Sequence, residues 1–212
     1  MPLLSFRNSD NIRLYLNGNG FSIGSIGSIC TPVIGNTFQI GSGTSNSTSS
    51  PAYGLYDYSI YGAIWLDTEF SGGEKQLTGL EVEVKGYTSG YTYNNFEIWL
   101  YEVEEDVFSS PQPVDLSNLT LSNEQLVKTF NWTISTNGFQ VWDFDTNYCY
   151  SGTKNLMMIC RNYDGSWQSG YGWGEYDFSQ AISRSFYKAT DNYFPTGTGT
   201  RTNARINTKF KE

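Results

Sequence analysis

The residues best suited to chemistry lie in a glycine-rich aromatic loop, residues 163–178, which reads YDGSWQSGYGWGEYDF. Its large rings are Trp167, Tyr171, Trp173 and Tyr176. Flat aromatic faces stack on sugar rings, while polar neighbours such as Gln168 and Glu175 bind hydroxyls. The same rings can instead cap the open end of a β-sandwich core or be buried against a protein partner, and we favour that second role. The loop is therefore a candidate contact site for a glycan or a protein.

The composition excludes most catalytic chemistry. The chain has no histidine, so it holds no Ser-His-Asp or Cys-His nucleophile system and no imidazole general base of its own. It also carries no P-loop and no dinucleotide fingerprint. The acids predicted on strands all lie opposite an apolar face, outside the paired geometry of a glycosidase: Glu81, Glu83, Glu97, Asp143 and Asp145. We therefore expect no enzyme activity and no cofactor.

Calcium is the metal that the acidic residues suit best, because carboxylates in sandwich loops can join backbone carbonyls around the ion. The candidates are Asp57, Asp67, Asp143, Asp145 and Asp164. A solvated surface is the favoured interpretation of these acids, so no structural calcium is predicted.

The three cysteines, Cys30, Cys149 and Cys160, have no metal-ligand spacing. Cys149 and Cys160 fall on the two arms of one predicted hairpin, in which Cys149 would lie opposite Leu156 or a neighbour of it. The sequence therefore predicts no disulfide, and a reducing compartment is the simpler expectation.

Net charge and hydropathy limit the partners and the location. The formal net charge of −8 at pH 7 argues against a nucleic acid or an anionic membrane as partner. No window is apolar enough to span a membrane, and residues 1–16 contain no secretory leader. We expect a protein that is made and kept in a cytosol, or one that leaves it by a route other than ordinary secretion.

Residues 139–167 are the stretch around which we expect the rest of the chain to be organised. Trp142, Phe144, Thr146 and Tyr148 share one parity, as in a half-buried strand. Residues 156–160 are apolar without alternation, which indicates a strand covered on both faces. A turn at residues 151–152 would join the two strands as a hairpin inside a β-sandwich, so the rest of the chain has to supply the facing sheet.

Alternation and turn residues predict an all-β fold, in keeping with 17% aromatic residues and 22 glycines. The predicted strands are eight, at residues 58–70, 78–85, 95–103, 125–134, 139–148, 155–163, 182–188 and 203–210. Eight antiparallel strands with irregular connections are typical of a jelly-roll β-sandwich.

Three of these strands carry more specific predictions. In the first, Ile60 and Ile64 would face the core and Gly62 would form a bulge. In the third, both faces of the strand carry large side chains such as Trp99, so a loop or a partner should cover one face. In the last, Arg205 alternates with apolar residues and is expected to face outward.

The N-terminal region has an unusual repeat, Ser-Ile-Gly, Ser-Ile-Gly, Ser-Ile-Cys, at residues 22–30. Isoleucines on a Gly/Ser backbone cannot bury themselves in so short a segment, so we interpret the region as an attachment or oligomerisation arm. Its proposed contact residues are Ile23, Ile26, Ile29, Val33 and Ile34. The alternative is a flexible leader whose isoleucines pack on the sandwich.

A low-complexity stretch, residues 41–50, reads GSGTSNSTSS and predicts a linker. The predicted domains are therefore residues 1–50, the arm and linker, and residues 51–212, the sandwich. We expect a homo-oligomer, with a trimer as the preferred state, because isoleucine repeats bury well around a three-fold axis.

Three motifs together carry a resemblance to a known group of modules. They are W-x-F-D-T-x-Y-x-Y-x-G-x-x-N-L at residues 142–156, the turn Asp164-Gly165-Ser166-Trp167, and Gly199-Thr200-Arg201-x-x-x-Arg205-Ile206. Residues 55–210 resemble jelly-roll modules of Bacteroidetes surface proteins and of virion proteins from phages that infect these bacteria, including crAss-like phages. The surface modules usually follow a signal peptide, which this sequence does not display.

The resemblance and the arm together imply a bacteriophage virion structural protein, such as a capsid decoration, head-fibre or tail-associated subunit. Such a protein would be assembled in the bacterial host cytoplasm and would contact other virion proteins, with a host-surface glycan as a further partner. The alternative interpretation is a secreted or surface carbohydrate-binding or adhesion module, in which the aromatic loop is the ligand platform.

Overall fold

The computed structural model describes residues 14–17, 20–23, 30, 35–85, 91–108, 114–116, 119, 121–167, 173–176 and 183–212. Short 3₁₀ turns such as Asp67–Glu69 separate strands, and none of the described segments forms a helix of the length and apolarity that crossing a bilayer requires. The strands are β1 Leu14–Asn17, β2 Gly20–Ile23, β3 Thr37–Ile40, β4 Ser45–Ser47, β5 Tyr58–Trp65, β6 Lys75–Lys85, β7 Tyr91–Val103, β8 Val114–Asp115, β9 Leu126–Ile134, β10 Gly138–Tyr150, β11 Asn155–Asn162, β12 Trp173–Tyr176, β13 Ser185–Thr190, β14 Thr198–Thr202 and β15 Thr208–Lys211.

Two antiparallel sheets form a β-sandwich, which confirms the predicted all-β class. The seven-stranded sheet has the order β8-β14-β13-β5-β11-β7-β9, and the six-stranded sheet has the order β3-β15-β6-β12-β4 with β10 also paired to β6. Each of the eight predicted strands has a counterpart, although the last is shorter than expected. The jelly-roll connectivity stays a prediction.

The core between the sheets is built from the inward side of alternating strands. Leu80, Val82 and Val84 of β6 are buried there, two residues apart along the strand. Across the interface, the Trp142 ring of β10 lies 5.0 Å from the Trp132 ring of β9 in an edge-to-face arrangement. Interdigitated rings of this kind hold the two sheets at a fixed spacing.

A second apolar layer covers the outer face of the seven-stranded sheet. Its buried members are Ile60, Ile64, Trp99, Phe108, Met157, Ile159 and Phe186. Phe108 and the leucines Leu116, Leu119 and Leu121 come from the connection between β7 and β9 and pack on this face. The predictions that β11 is covered on both faces and that a loop or partner covers one face of β7 are therefore confirmed.

The face assignment of β5 was wrong. Ile60 and Ile64 point into the second layer, whereas Tyr61 and Trp65 take the core positions. Both parities of this strand are apolar, so alternation could not decide between them. The bulge predicted at Gly62 is also wrong, because the pairing of β5 with β11 runs without a register shift. Glycine is needed there because the Phe186 ring occupies the place of a Cβ.

The predicted central hairpin does not form. Strand β10 pairs with β6 in the six-stranded sheet, while β11 lies between β5 and β7 in the seven-stranded sheet. The turn at residues 151–152 therefore carries the chain from one sheet to the other. Cys149 accordingly lies opposite Gln76 and not opposite Leu156.

The linker interpretation of residues 41–50 is also corrected. Strand β3 pairs with β15, and β4, which lies inside the low-complexity stretch, pairs with β12. Ser50 is fully buried, and the side-chain amide of Asn207 donates to the carbonyl of Gly43 at 2.7 Å. Serine and threonine suit such an edge strand as well as a linker, so composition alone could not separate the two. The sandwich thus begins at or before Thr37.

A disulfide joins Cys30 to Cys149 across 119 residues of sequence, contrary to the prediction. The Cα atoms of the pair lie 5.6 Å apart, within the range of ordinary disulfides. Cys160, the cysteine nearest to Cys149 in sequence, is a free thiol buried in the core. Since Tyr150 points into the core, its neighbour Cys149 lies on the outer face of the six-stranded sheet, and the disulfide attaches Cys30 there.

Arg205 was predicted to face outward, but its side chain is only 1% exposed. It forms a two-pronged pair with Glu69, with nitrogen–oxygen distances of 2.5 and 2.6 Å, and it also donates to the carbonyl of Ile64 at 3.1 Å. Burial alone would raise the pKa of Glu69, but the hydrogen bonds and charge of Arg205 outweigh it and lower that pKa below its ordinary value. This pair fixes the segment before β15 to β5.

Candidate functional site

The candidate site lies at one end of the sandwich, where β11 and β13 end and β5 begins. These three strands are neighbours in the seven-stranded sheet, and their paired ends bring Asp164, Asp191 and Asp57 to the same edge. Loops at the ends of a sandwich are held by the sheets but carry side chains that need not fill the core. The edge therefore presents side chains on a rigid base.

Trp167 is the most prominent side chain at this edge, with 61% of its surface exposed. It follows β11 by a few residues and does not return to the core. The prediction that this ring caps the core is therefore wrong for Trp167. An indole with this much exposed surface offers an apolar face on which a flat ligand can stack.

The turn that carries Trp167 is tied to two other strands. The Asp164 carboxylate accepts the Tyr91 hydroxyl and accepts the backbone and side-chain N–H groups of Asn94 at 3.1 and 2.6 Å. On the other side, the Gly165 N–H donates to the Asp57 carbonyl at 3.0 Å. Burial, followed by the neighbouring Asp164 carboxylate, raises the pKa of Tyr91, so its hydroxyl stays protonated and keeps donating. The platform is thus held in place before any ligand arrives.

A pocket of about 580 Å³ opens beside the indole, and we call it the Trp167 pocket. Its lining residues are Leu55, Tyr56, Asp57, Trp167, Asp191 and Asn192. The Asn192 N–H donates to Oδ2 of Asp57 at 3.2 Å, and the Asp57 N–H donates to Oδ1 of Asp191 at 3.5 Å. These bonds engage one oxygen of each carboxylate, and a carboxylate has a second oxygen to offer as an acceptor.

The pocket combines an apolar ring with acceptors for hydroxyl groups. A sugar ring offers C–H bonds on its face and hydroxyl donors around its edge, and both find partners here. No basic residue is among the described residues that line the pocket. Acidic sugars would therefore be repelled by two carboxylates that have no ion-pair partner among the described residues, whereas neutral or amino sugars would not be repelled.

The other predicted contact residues do not join this pocket in the part of the chain that the structure describes. Trp173 and Tyr176 begin and end β12, which pairs with β4 and β6 in the six-stranded sheet. Tyr171 lies outside the described residues. Of the three described members, Trp167 thus belongs to a loop at the end of one sheet, and Trp173 and Tyr176 belong to a strand of the other sheet.

The residues predicted for the arm are largely outside the described part of the chain. Ile23 is the last residue of β2, which pairs with β1. Ile26, Ile29, Val33 and Ile34 fall in the ranges 24–29 and 31–34, which are not described. Their role in oligomerisation or attachment stays a prediction.

Of the residues that line the pocket, Trp167 was predicted as a contact residue and Asp57 only as a calcium candidate, whereas Leu55, Tyr56, Asp191 and Asn192 were not predicted. Asp143 and Asp145 instead pair with Lys211 and Lys128. The acids named for calcium do not come together in a group of three among the described residues. The available signal was the pair of turns at residues 53–57 and 191–194, each rich in tyrosine or acid and directly next to a strand.

No protein-family model and no curated protein matches this chain at a significant level.

Proposed function

We propose that the protein is a non-catalytic binding module that holds carbohydrate in the Trp167 pocket. The observation that carries the proposal is the 61% exposed indole of Trp167 standing beside two carboxylates at the rim of a 580 Å³ pocket. Stacking on an aromatic ring and hydrogen bonds to carboxylates are the two contacts on which shallow sugar sites depend. The ligand class we propose is neutral or amino sugars.

The anchoring of the turn supports this proposal. Asp164 is bonded to β7 and Gly165 to the residue before β5, so the ring is held without help from a ligand. A pre-positioned platform avoids the entropy cost of ordering a loop on binding. A ring exposed merely by chance would not need this support from two strands.

The disulfide supports a location outside a reducing cytosol. Disulfides such as Cys30–Cys149 persist in secreted proteins, on cell surfaces and on released particles, where the surroundings are oxidising. This favours display of the module on a surface or its release, and it argues against the reducing compartment expected from sequence.

The test is a glycan array followed by calorimetric titration of the best neutral or amino sugar. Trp167→Ala should weaken binding about fivefold or more, because removing a stacking ring costs about 1 kcal/mol or more. Tyr193→Ala is the matched control, since that ring is also 61% exposed but does not line the pocket. If the wild type binds no glycan, or if Trp167→Ala binds as well as the wild type, the proposal fails.

A second candidate function is the virion structural subunit, and the Ile-containing repeat favours it. The repeat ends at Cys30, which the disulfide fixes to β10, so the end of the repeat is covalently held at the outer face of the six-stranded sheet. We propose that these isoleucines are covered by other copies in a homotrimer or by other virion proteins, in a capsid decoration, head fibre or tail. The sandwich would then be displayed outward, where its pocket could meet a host-surface glycan.

Light scattering after size-exclusion chromatography tests the assembly. The full-length protein should run as a trimer, and a triple variant with Ile23→Asn, Ile26→Asn and Ile29→Asn should run as a monomer with an unchanged circular-dichroism spectrum. The double variant Val107→Asn with Val141→Asn is the control, since both side chains are exposed on the sandwich. A monomeric wild type would contradict assembly by this protein alone.

A further inference from the structure

A groove separate from the Trp167 pocket runs along the outer face of the seven-stranded sheet, beside the second apolar layer. It holds about 450 Å³, which is within the size range of small-molecule sites. Its floor and walls include Ile60, Leu116, Leu119, Leu121, Phe194 and Arg161. Arg161 is the one charged residue among the described residues that line this mostly apolar groove, so its contacts decide what the groove can bind.

Arg161 is held in one position by aromatic rings. Its guanidinium carbon lies 4.5 Å from the centroid of Phe194 and 4.7 Å from that of Tyr163, and these two rings stack on each other at 4.3 Å. Arg161 lies in register with Ile60 of β5 and Glu97 of β7, so it is the last residue of β11 on the covered face. The side chain therefore has little freedom to turn toward bulk water.

The charge of Arg161 is poorly compensated. Its nearest carboxylate oxygen, on Glu97, lies 3.6 Å away, beyond hydrogen-bond distance, and that same oxygen accepts the Trp99 indole N–H at 3.2 Å. The Nε of Arg161 is buried and has no hydrogen-bond partner among the described residues. Burial lowers the pKa of Arg161, while Glu97 opposes that shift, which agrees with a cation that is desolvated more than it is paired. Buried polar atoms are nearly always satisfied, so the guanidinium of Arg161 has hydrogen-bonding capacity that the described residues do not use.

We propose that this groove binds a small amphiphilic carboxylate, whose apolar chain lies against the leucines and Ile60 and whose carboxylate meets Arg161. The positive charge of Arg161, only loosely paired with Glu97 at 3.6 Å, favours an anionic head group, and the apolar walls favour a hydrocarbon chain of medium length. The groove does not depend on the proposed sugar site, since the two sets of lining residues have no member in common.

The experiment is a calorimetric titration of the full-length protein with decanoate below its micelle concentration. Decanol and decyltrimethylammonium serve as probes with the same chain and a neutral or a positive head. Decanoate should bind at least tenfold more tightly than decanol, since a hydrogen bond to a charged group is worth roughly that factor. Decyltrimethylammonium should bind more weakly still. Equal affinity for decanoate and decanol would overturn the proposal.

Two variants test the groove itself. Arg161→Met keeps an apolar side chain of similar length but removes the charge, and it should weaken decanoate binding at least tenfold while leaving decanol unchanged. Lys128→Met is the matched control, because Lys128 also lies over an aromatic ring, Phe130, but belongs to β9 and does not line the groove. Decanoate binding that survives Arg161→Met would overturn the proposal.

Leu119→Asp provides a test should Arg161→Met fail to fold. Leu119 is half-buried at the groove wall, and a carboxylate there would compete with the ligand for Arg161. Loss of decanoate binding with a native circular-dichroism spectrum supports the proposal, and unchanged binding overturns it.

Discussion

The outer faces of the two sheets are built in opposite ways. The seven-stranded sheet carries a second apolar layer, in which the Phe108 ring meets Phe186 at 4.8 Å. The six-stranded sheet carries charged pairs instead, such as Lys209 with Glu81 at 3.4 Å, and Val141 is 54% exposed between them. Among the described residues, one sheet is thus covered by apolar side chains on both faces, whereas the other has charged pairs on its outer face.

This difference shows how the sequence of a strand determines whether the outer face of its sheet needs a cover. The alternation in β6 places Glu81 and Glu83 opposite the core residues, so its outer face is soluble without a cover. Strand β11 has no such alternation, and a loop must cover its second face. A loop that covers a sheet leaves grooves between itself and the sheet, and the groove that Arg161 lines is one of them. The open face has no such concavity among the pockets described above.

The largest effect is expected in the shared core, where Trp142→Ala should lower the free energy of unfolding by about 4 kcal/mol. Trp142 is fully buried and its ring contacts Trp132 and Phe96 across the sheets. Urea unfolding followed by circular dichroism measures the change. Val141→Ala, one residue earlier on the open face, should change the free energy by less than about 0.5 kcal/mol. Similar costs for the two variants would show that β10 is not oriented as described.

Much of this architecture follows from local pattern, and the parts that do not are instructive. The alternation in β6 and the continuous run in β11 predicted which strand is covered once and which twice. Pairing between distant strands was not predictable, because a turn sequence such as Ser151-Gly152 is compatible both with a hairpin and with a connection between the two sheets. The disulfide was missed for the same reason, since the partner of Cys149 lies far away in sequence.

The candidate site was predictable only in part. A glycine-rich turn with a tryptophan indicated a contact residue, and Trp167 is exposed at the end of the sandwich. Its polar neighbours Asp57 and Asp191 come from two other loops, and only the pairing of β5 with β13 brings them together. Arg205 was assigned to the surface because its buried acid, Glu69, is far away in sequence and cannot be inferred from alternation.

The next largest effect concerns the Arg205–Glu69 pair, which closes the sandwich near the 3₁₀ turn. Glu69→Gln should lower the free energy of unfolding by about 3 kcal/mol at pH 7, because it leaves the buried Arg205 without a counter-charge. The pKa of Glu69 is lower in the folded than in the unfolded state, so its contribution is complete above the ordinary carboxyl pKa. That contribution is lost as pH falls through the lowered value.

Urea unfolding at pH 7 and at successively lower pH distinguishes this pair from the other carboxylates. The stability difference between wild type and Glu69→Gln should shrink as the pH falls below about 4. A difference that stays constant with pH would mean that Glu69 contributes through packing or neutral hydrogen bonds and not through its charge.

The smallest effects are expected from side chains on the outer faces of the two sheets, Phe108 on the seven-stranded sheet and Lys211 on the six-stranded sheet. Phe108→Ala should cost about 2 kcal/mol, less than a usual buried phenylalanine, because its loop can settle into the vacated space. The backbone bonds that hold this residue, from its N–H to Ser183 and from Arg201 to its carbonyl, do not depend on the ring. On the open face, Lys211→Ala removes only a surface pair with Asp143 and should cost less than about 0.5 kcal/mol. Thermal and urea unfolding of both variants measure the contrast. Equal losses of stability in the two variants would contradict this contrast. They would mean that the loop contributes no more to stability than a solvated ion pair, so that the second layer would be a loose cover instead of a second core.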